Sequence, residues 1–155
     1  MSMSVPRIIT LLSLVAAAPL LTLQSLGTAT ASTVQAPSSD VAIGGYCPVA
    51  YIAMKQAMKG SAAHASVHKG KTYHLTNADA MKMFDAAPDT YVPAYDGWCA
   101  TAVAQGTKLK SDPTLYTVHD GRAYLFSNKA AKAMFDKDPK GTVAKADAAW
   151  ATLSR

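Results

Sequence analysis

An internal duplication constrains this 155-residue chain more than any other feature. The stretch His68-Lys69-Gly70-Lys71-Thr72-Tyr73 runs through Asn77 to Met83-Phe84-Asp85 and Pro88. It returns 51 residues later as His119-Asp120-Gly121-Arg122-Ala123-Tyr124, running through Asn128 to Met134-Phe135-Asp136 and Pro139. Nine positions are identical: His, Gly, Tyr, Asn, Ala (Ala80 and Ala131), Met, Phe, Asp and Pro. Upstream, Gly45-Tyr46-Cys47 matches Gly97-Trp98-Cys99 at an offset of 52. Each half, about 45–88 and 97–139, therefore reads Gly-aromatic-Cys, connector, hairpin, helix. Repeats of this kind are copies of one supersecondary unit that buries its apolar face against its neighbour.

The local chemistry fits that reading. Asp120-Gly121 is a strong two-residue hairpin signal, because a type I′ turn needs φ > 0 at both central positions. Lys69-Gly70 is a weaker version of the same turn. The flanks predict short strands over Ala65–His68 and Lys71–Leu75, and over Leu115–His119 and Arg122–Phe126. Asn77 and Ser127/Asn128 suit helix starts, where a side-chain oxygen accepts from an otherwise unpaired N–H. The helices that follow are expected to end near Pro88 and Pro139. A last helix over about Val143–Leu153 places Ala146, Ala149, Trp150 and Leu153 on one stripe. The expected fold is a small α+β domain from two pseudo-repeated units plus a C-terminal helix.

The start of the chain has a different character. Met1–Arg7 is short and positively charged, Ile8–Leu23 is an apolar run broken by Pro19, and Ala29-Thr30-Ala31 supplies small residues. This is a secretory signal pattern, with cleavage expected after Ala31 and no stable membrane insertion after processing. The expected organisation is a signal peptide at 1–31, a flexible Ser/Pro-rich start at 32–40, and one duplicated domain at 41–155. The location implied is periplasmic or secreted. Loss of Arg7 lowers the net charge from +5 to +4. The remaining excess comes from scattered lysines without interleaved aromatics, so nucleic acid is not an expected partner.

Two cysteines survive processing, and both fall at predicted helix starts. Pro48 suits the first helical position after Cys47. Cys99-Ala100-Thr101-Ala102-Val103-Ala104 reads as a short helix stopped by Gly106. A helix N-terminus favours the thiolate, which is both nucleophile and metal ligand. Duplicated halves packed about a pseudo-two-fold axis would let Cys47 and Cys99 meet. Three readings stay open. One is a disulfide, the ordinary fate of two cysteines in an oxidising compartment. Another is a bis-thiolate site for a soft metal, copper(I) before zinc. The third is thiol redox chemistry, weakened by the absence of a Cys-x-x-Cys spacing.

Other soft or nitrogen donors are secondary. Met54 and Met58 follow the Cys47 helix and suit copper(I). His74 stands where the second repeat has Leu125, and a two-residue turn pairs it with Ala65. His68 and His119 precede the turns and read as exposed turn residues. Met83 and Met134 sit beside Phe84 and Phe135 and read as core packing. No phosphate loop, Gly-x-Ser-x-Gly or His-Glu-x-x-His occurs, and acidic residues are few, so no enzyme class is indicated.

The combined pattern resembles the YHS domain family, in its exported single-domain bacterial branch. The resemblance is carried by Val41–Tyr51, by Lys71–Asn77 through Phe84 and Pro88, and by Tyr91–Ala100. It continues through Asp112-Pro113, Asp120–Leu125 and Ala146–Trp150. It implies a small α+β domain associated with metal handling, copper especially, since related domains are attached to copper-transporting ATPases. The family's Gly-[Tyr/Trp]-Cys-Ala segment maps onto Gly97–Ala100, making Cys99 the inherited cysteine. The branch carries aspartate where this chain has Cys47. The expected function is therefore a periplasmic copper-binding protein for chaperoning or sequestration. Its metal ligands would be Cys47 and Cys99, with Met54, Met58 and His74 behind them, and a homodimer or a metal-transfer protein as partner. The alternative is a disulfide-stapled binding or structural module without metal, and behind it a thiol oxidoreductase.

Overall fold

The computed structural model describes residues 40–155; the expected signal peptide and residues 32–39 lie outside them. The fold is α+β, with two antiparallel hairpins and several helices. The first hairpin pairs β1 (Ser61–His68) with β2 (Lys71–Leu75), and the second pairs β3 (Asp112–His119) with β4 (Arg122–Phe126). The hairpins remain separate two-stranded sheets. Helix α1 (Ala78–Ala86) and the short α2 (Pro88–Tyr91) follow the first. Helix α3 (Ala100–Ala104) precedes the second, and α4 (Lys129–Lys137) and α5 (Pro139–Leu153) complete the chain.

Local rules explain most of these elements. Both turns have φ > 0 at two consecutive residues: Lys69 at 48° and Gly70 at 75°, Asp120 at 47° and Gly121 at 76°. That is the backbone of a type I′ turn, whose twist matches the flanking strands. The turn fixes the register, so Ala65 pairs with His74 and Tyr116 with Leu125. Each first strand continues past an irregularity, pairing Ser61 with Leu75 and Asp112 with Phe126. The strands are therefore longer than the alternation alone predicts. Asn77 caps α1 by accepting from the Ala80 N–H at 2.8 Å, and Asn128 caps α4 by accepting from the Ala131 N–H at 2.9 Å.

The helices before the two prolines end near them as expected, α1 at Ala86 and α4 at Lys137. Pro88 and Pro139 in addition open α2 and α5. A proline at the first helical position forfeits an N–H that would be unpaired anyway. Asp138 completes the junction by accepting from the Gly141 N–H at 2.9 Å. The last helix thus starts four residues before the expected Val143, giving it 15 residues.

The methionine expectation also needs correction. Phe84 and Phe135 are buried at 1% and 0%, but Met83 and Met134 are 42% and 53% exposed. Neighbouring helical residues lie about 100° apart around the axis, so a narrow buried face takes the phenylalanine and leaves the methionine outside.

Each repeat has its own core cluster. The first gathers Cys47, Val49, Tyr73, Leu75 and Phe84; the second gathers Cys99, Val103, Tyr124, Phe126 and Phe135, closed by Ala146 of α5. A third cluster joins the repeats, with Tyr51 against Ala123 and Leu125 of β4. The Tyr51 hydroxyl donates to the Pro113 carbonyl at 2.7 Å, and the Tyr116 hydroxyl donates back to the Lys55 carbonyl. The Lys71 ammonium and the Asp96 carboxylate pair at 3.0 Å across the same junction.

Gly60 marks a close approach of two backbones. A Cβ there would fall 2.2 Å from the His74 carbonyl oxygen. Gly60→Ala is expected to destabilise the fold by about 1–3 kcal/mol, the range for overpacking that forces a backbone to shift. A denaturant midpoint equal to wild type would contradict this.

Candidate functional site

The residues that precede each cysteine set the site. Three consecutive residues take left-handed conformations in each repeat. They are Ile43, Gly44 and Gly45 at φ of 54°, 57° and 78°, and Tyr95, Asp96 and Gly97 at 56°, 56° and 82°. The backbone then turns extended at Tyr46 (φ −81°, ψ 146°) and Trp98 (φ −69°, ψ 157°). Isolated antiparallel bridges tie Tyr46 to Lys59 and Trp98 to Lys110. The next N–H groups are held too: Cys47 donates to the Met58 carbonyl at 2.8 Å and Cys99 to the Leu109 carbonyl at 2.9 Å.

Successive side chains of an extended segment point to opposite sides. Tyr46 and Trp98 therefore line a cleft, while Cys47 and Cys99 turn inward to 0% and 1% exposure. This alternation separates the thiols. Each belongs to the core cluster of its own repeat, and no disulfide links them. The symmetric residues that face a common space are the aromatics and not the cysteines. Among the described residues, no group of three or more His, Cys, Asp or Glu side chains gathers around a common point.

The neighbours of the two thiols differ. The Cys47 Sγ lies 3.9 Å from the Thr76 Oγ1. Met58 packs against the Cys47 cluster, whereas Met54 is 47% exposed. His74 lies close to the same segment, since a Cβ on Gly45 would sit 3.5 Å from its Nδ1. The equivalent approach in the second repeat is Gly97 to Leu125 Cδ1 at 3.6 Å. Cys99 caps α3 and lines a groove of about 230 Å³ together with Thr101, Gln105, Asn128 and Met134. The Thr101 hydroxyl donates to the Ala131 carbonyl at 2.8 Å and holds α3 against α4.

The turn histidines are half-buried instead of exposed. His68 lies edge-on to Phe84 at 6.2 Å and His119 edge-on to Phe135 at 6.3 Å. The His68 Nε2 is 2.9 Å from the Asp89 carboxylate, which also accepts from Lys69 at 2.6 Å. Hydrogen bonds from Lys69 and then His68 hold the Asp89 carboxyl below its usual range.

Sequence reasoning missed the cleft between the repeats. Its volume is about 440 Å³, and its walls include Tyr46, Trp98, Lys59, Lys110, Asp96 and Ile43. The signal was present: an aromatic precedes each cysteine, and a lysine follows 12 or 13 residues later at matching positions. Comparison with family models, with curated proteins and with solved structures finds no match to this chain.

The burial of the thiols gives a direct check. An aromatic disulfide reagent is expected to titrate two thiols per unfolded chain and to react slowly with the native protein. The faster native thiol should vanish in Cys99→Ser, because Cys99 borders a groove. Absence of free thiol after unfolding without reductant would mean that the cysteines are bridged.

Proposed function

We propose that this protein binds copper(I) through its two thiols, one ion in each repeat, as an exported carrier or sequestering protein. The carrying observation is that Cys99 and the exposed Met134 line one groove, a thiol and a thioether facing the same space. Thiolate and thioether are soft donors that select Cu(I) over the hard divalent ions. The first repeat offers a comparable set around Cys47, with Met58 in the same cluster and His74 against Gly45. The resemblance to the YHS family points toward the same metal, and the secretory pattern toward a compartment outside the cytoplasm.

This reading differs from a shared chelate. Two thiols in separate clusters favour two independent sites over one ion bridged by Cys47 and Cys99. A thiol loses its proton when it takes a metal, so apparent affinity rises with pH. Loading requires local opening, because Cys47 is fully buried and Cys99 nearly so.

Stoichiometry tests the proposal. Anaerobic titration of the reduced protein with Cu(I) against a competing chelator is expected to give two ions per wild-type chain. Cys47→Ser and Cys99→Ser should each retain one, and the double variant none. One ion lost completely by either substitution would replace this reading with a shared chelate. Equal binding by wild type and the double variant would remove the thiols from metal binding altogether.

A further inference from the structure

The cleft between the repeats has features that the thiols do not use. Its volume of about 440 Å³ lies within the roughly 300–1,000 Å³ of small-molecule sites. Equivalent positions face it from both repeats: Tyr46 with Lys59 from the first, Trp98 with Lys110 from the second. Aromatic side chains supply flat apolar area at low entropic cost, and two such walls suit a flat guest.

The charge of the lining is positive. The Lys59 ammonium sits 4.4 Å from the centre of the Tyr46 ring and donates to the Gly44 carbonyl at 2.8 Å. That carbonyl is neutral, so the lysine charge is not cancelled. Lys110 has no hydrogen bond or ion pair to its ammonium among the described residues. Asp96 is the acidic residue in the lining, and its charge is matched by Lys71 at 3.0 Å. The carboxylate of the adjacent Asp112 turns to the Thr114 N–H and hydroxyl, at 2.9 and 2.8 Å. Two lysine charges therefore stand without a carboxylate partner.

Ile43 lines the cleft at φ 54°, within the left-handed turn that recurs at Tyr95 in the second repeat.

We propose that this cleft is a binding site for a small aromatic carboxylate. The ring lies against Tyr46 and Trp98, and the carboxylate meets the ammonium groups of Lys110 and Lys59. A cationic guest is disfavoured by the same two lysines. A neutral guest gains the ring contacts without the charge-assisted hydrogen bonds, which are the stronger kind. Neither thiol lines the cleft, so an aromatic carboxylate and a metal ion would occupy different places.

Calorimetric titration with 2-naphthoate and with its uncharged analogue 2-naphthalenemethanol tests the assignment. Naphthoate is expected to bind one to one, roughly a hundredfold more tightly than the alcohol, as two charge-assisted contacts of about tenfold each imply. Lys110→Gln should weaken naphthoate roughly tenfold, the share of one such contact, and leave the alcohol unchanged. Lys110 is exposed, so this variant should keep the wild-type melting temperature. Trp98→Ala should weaken both probes. The proposal is overturned if naphthoate does not bind saturably, if the alcohol binds as tightly, or if Lys110→Gln leaves naphthoate binding unchanged.

Discussion

The burial of Tyr51 couples the two repeats, and the rest of the structure depends on it. A two-stranded hairpin is marginal by itself in water, and the described residues hold two that do not join into one sheet. Tyr51 leaves the first repeat just after Cys47 and packs at 0% exposure against Ala123 and Leu125 of the second. Its ring stands 4.9 Å from that of Tyr116, and each hydroxyl donates to a carbonyl of the opposite repeat. Burial, then the neighbouring Tyr46 and Tyr116, push the Tyr51 hydroxyl well above the ordinary tyrosine range. It therefore stays a donor through the whole physiological range.

Duplication supplied two equal scaffolds, and divergence made them chemically unequal. Both repeats keep the left-handed turn, the aromatic that follows it, the bridged lysine and the capping asparagine. They differ in what surrounds the thiol. The first repeat has His74 and Met58 where the second has Leu125 and Leu109. The second is covered by α5, whose Ala146 and Trp150 close the Cys99 cluster, and it presents the groove shared with Met134. Two copies of one framework thus hold two distinct soft environments and share one cleft.

Much of the fold was legible because short-range rules govern it. The hairpin turns, their register and the asparagine caps are each decided within a few residues. Pro88 and Pro139 were harder to read: the same residue ends one helix and opens the next, and only Asp138 and the length of α5 show which effect dominates. Met83 and Met134 misled because repetition beside a phenylalanine looks like core packing, while the buried face admits only one of two neighbours.

Sequence alone determined the duplication, the α+β class and the placement of a thiol at each short helix. These follow from residue identity and local spacing. It did not determine which side of the Gly-aromatic-Cys segment would meet the other repeat. Alternation along an extended backbone requires the aromatic and the cysteine to face opposite ways, but it is silent on which one looks across the junction. The tertiary packing decided that through Tyr51 and the Lys71–Asp96 pair, which bring the two repeats together on the aromatic side. The cysteines, read first as a facing pair, became two separate buried thiols, and Tyr46 and Trp98 took the shared space between the repeats.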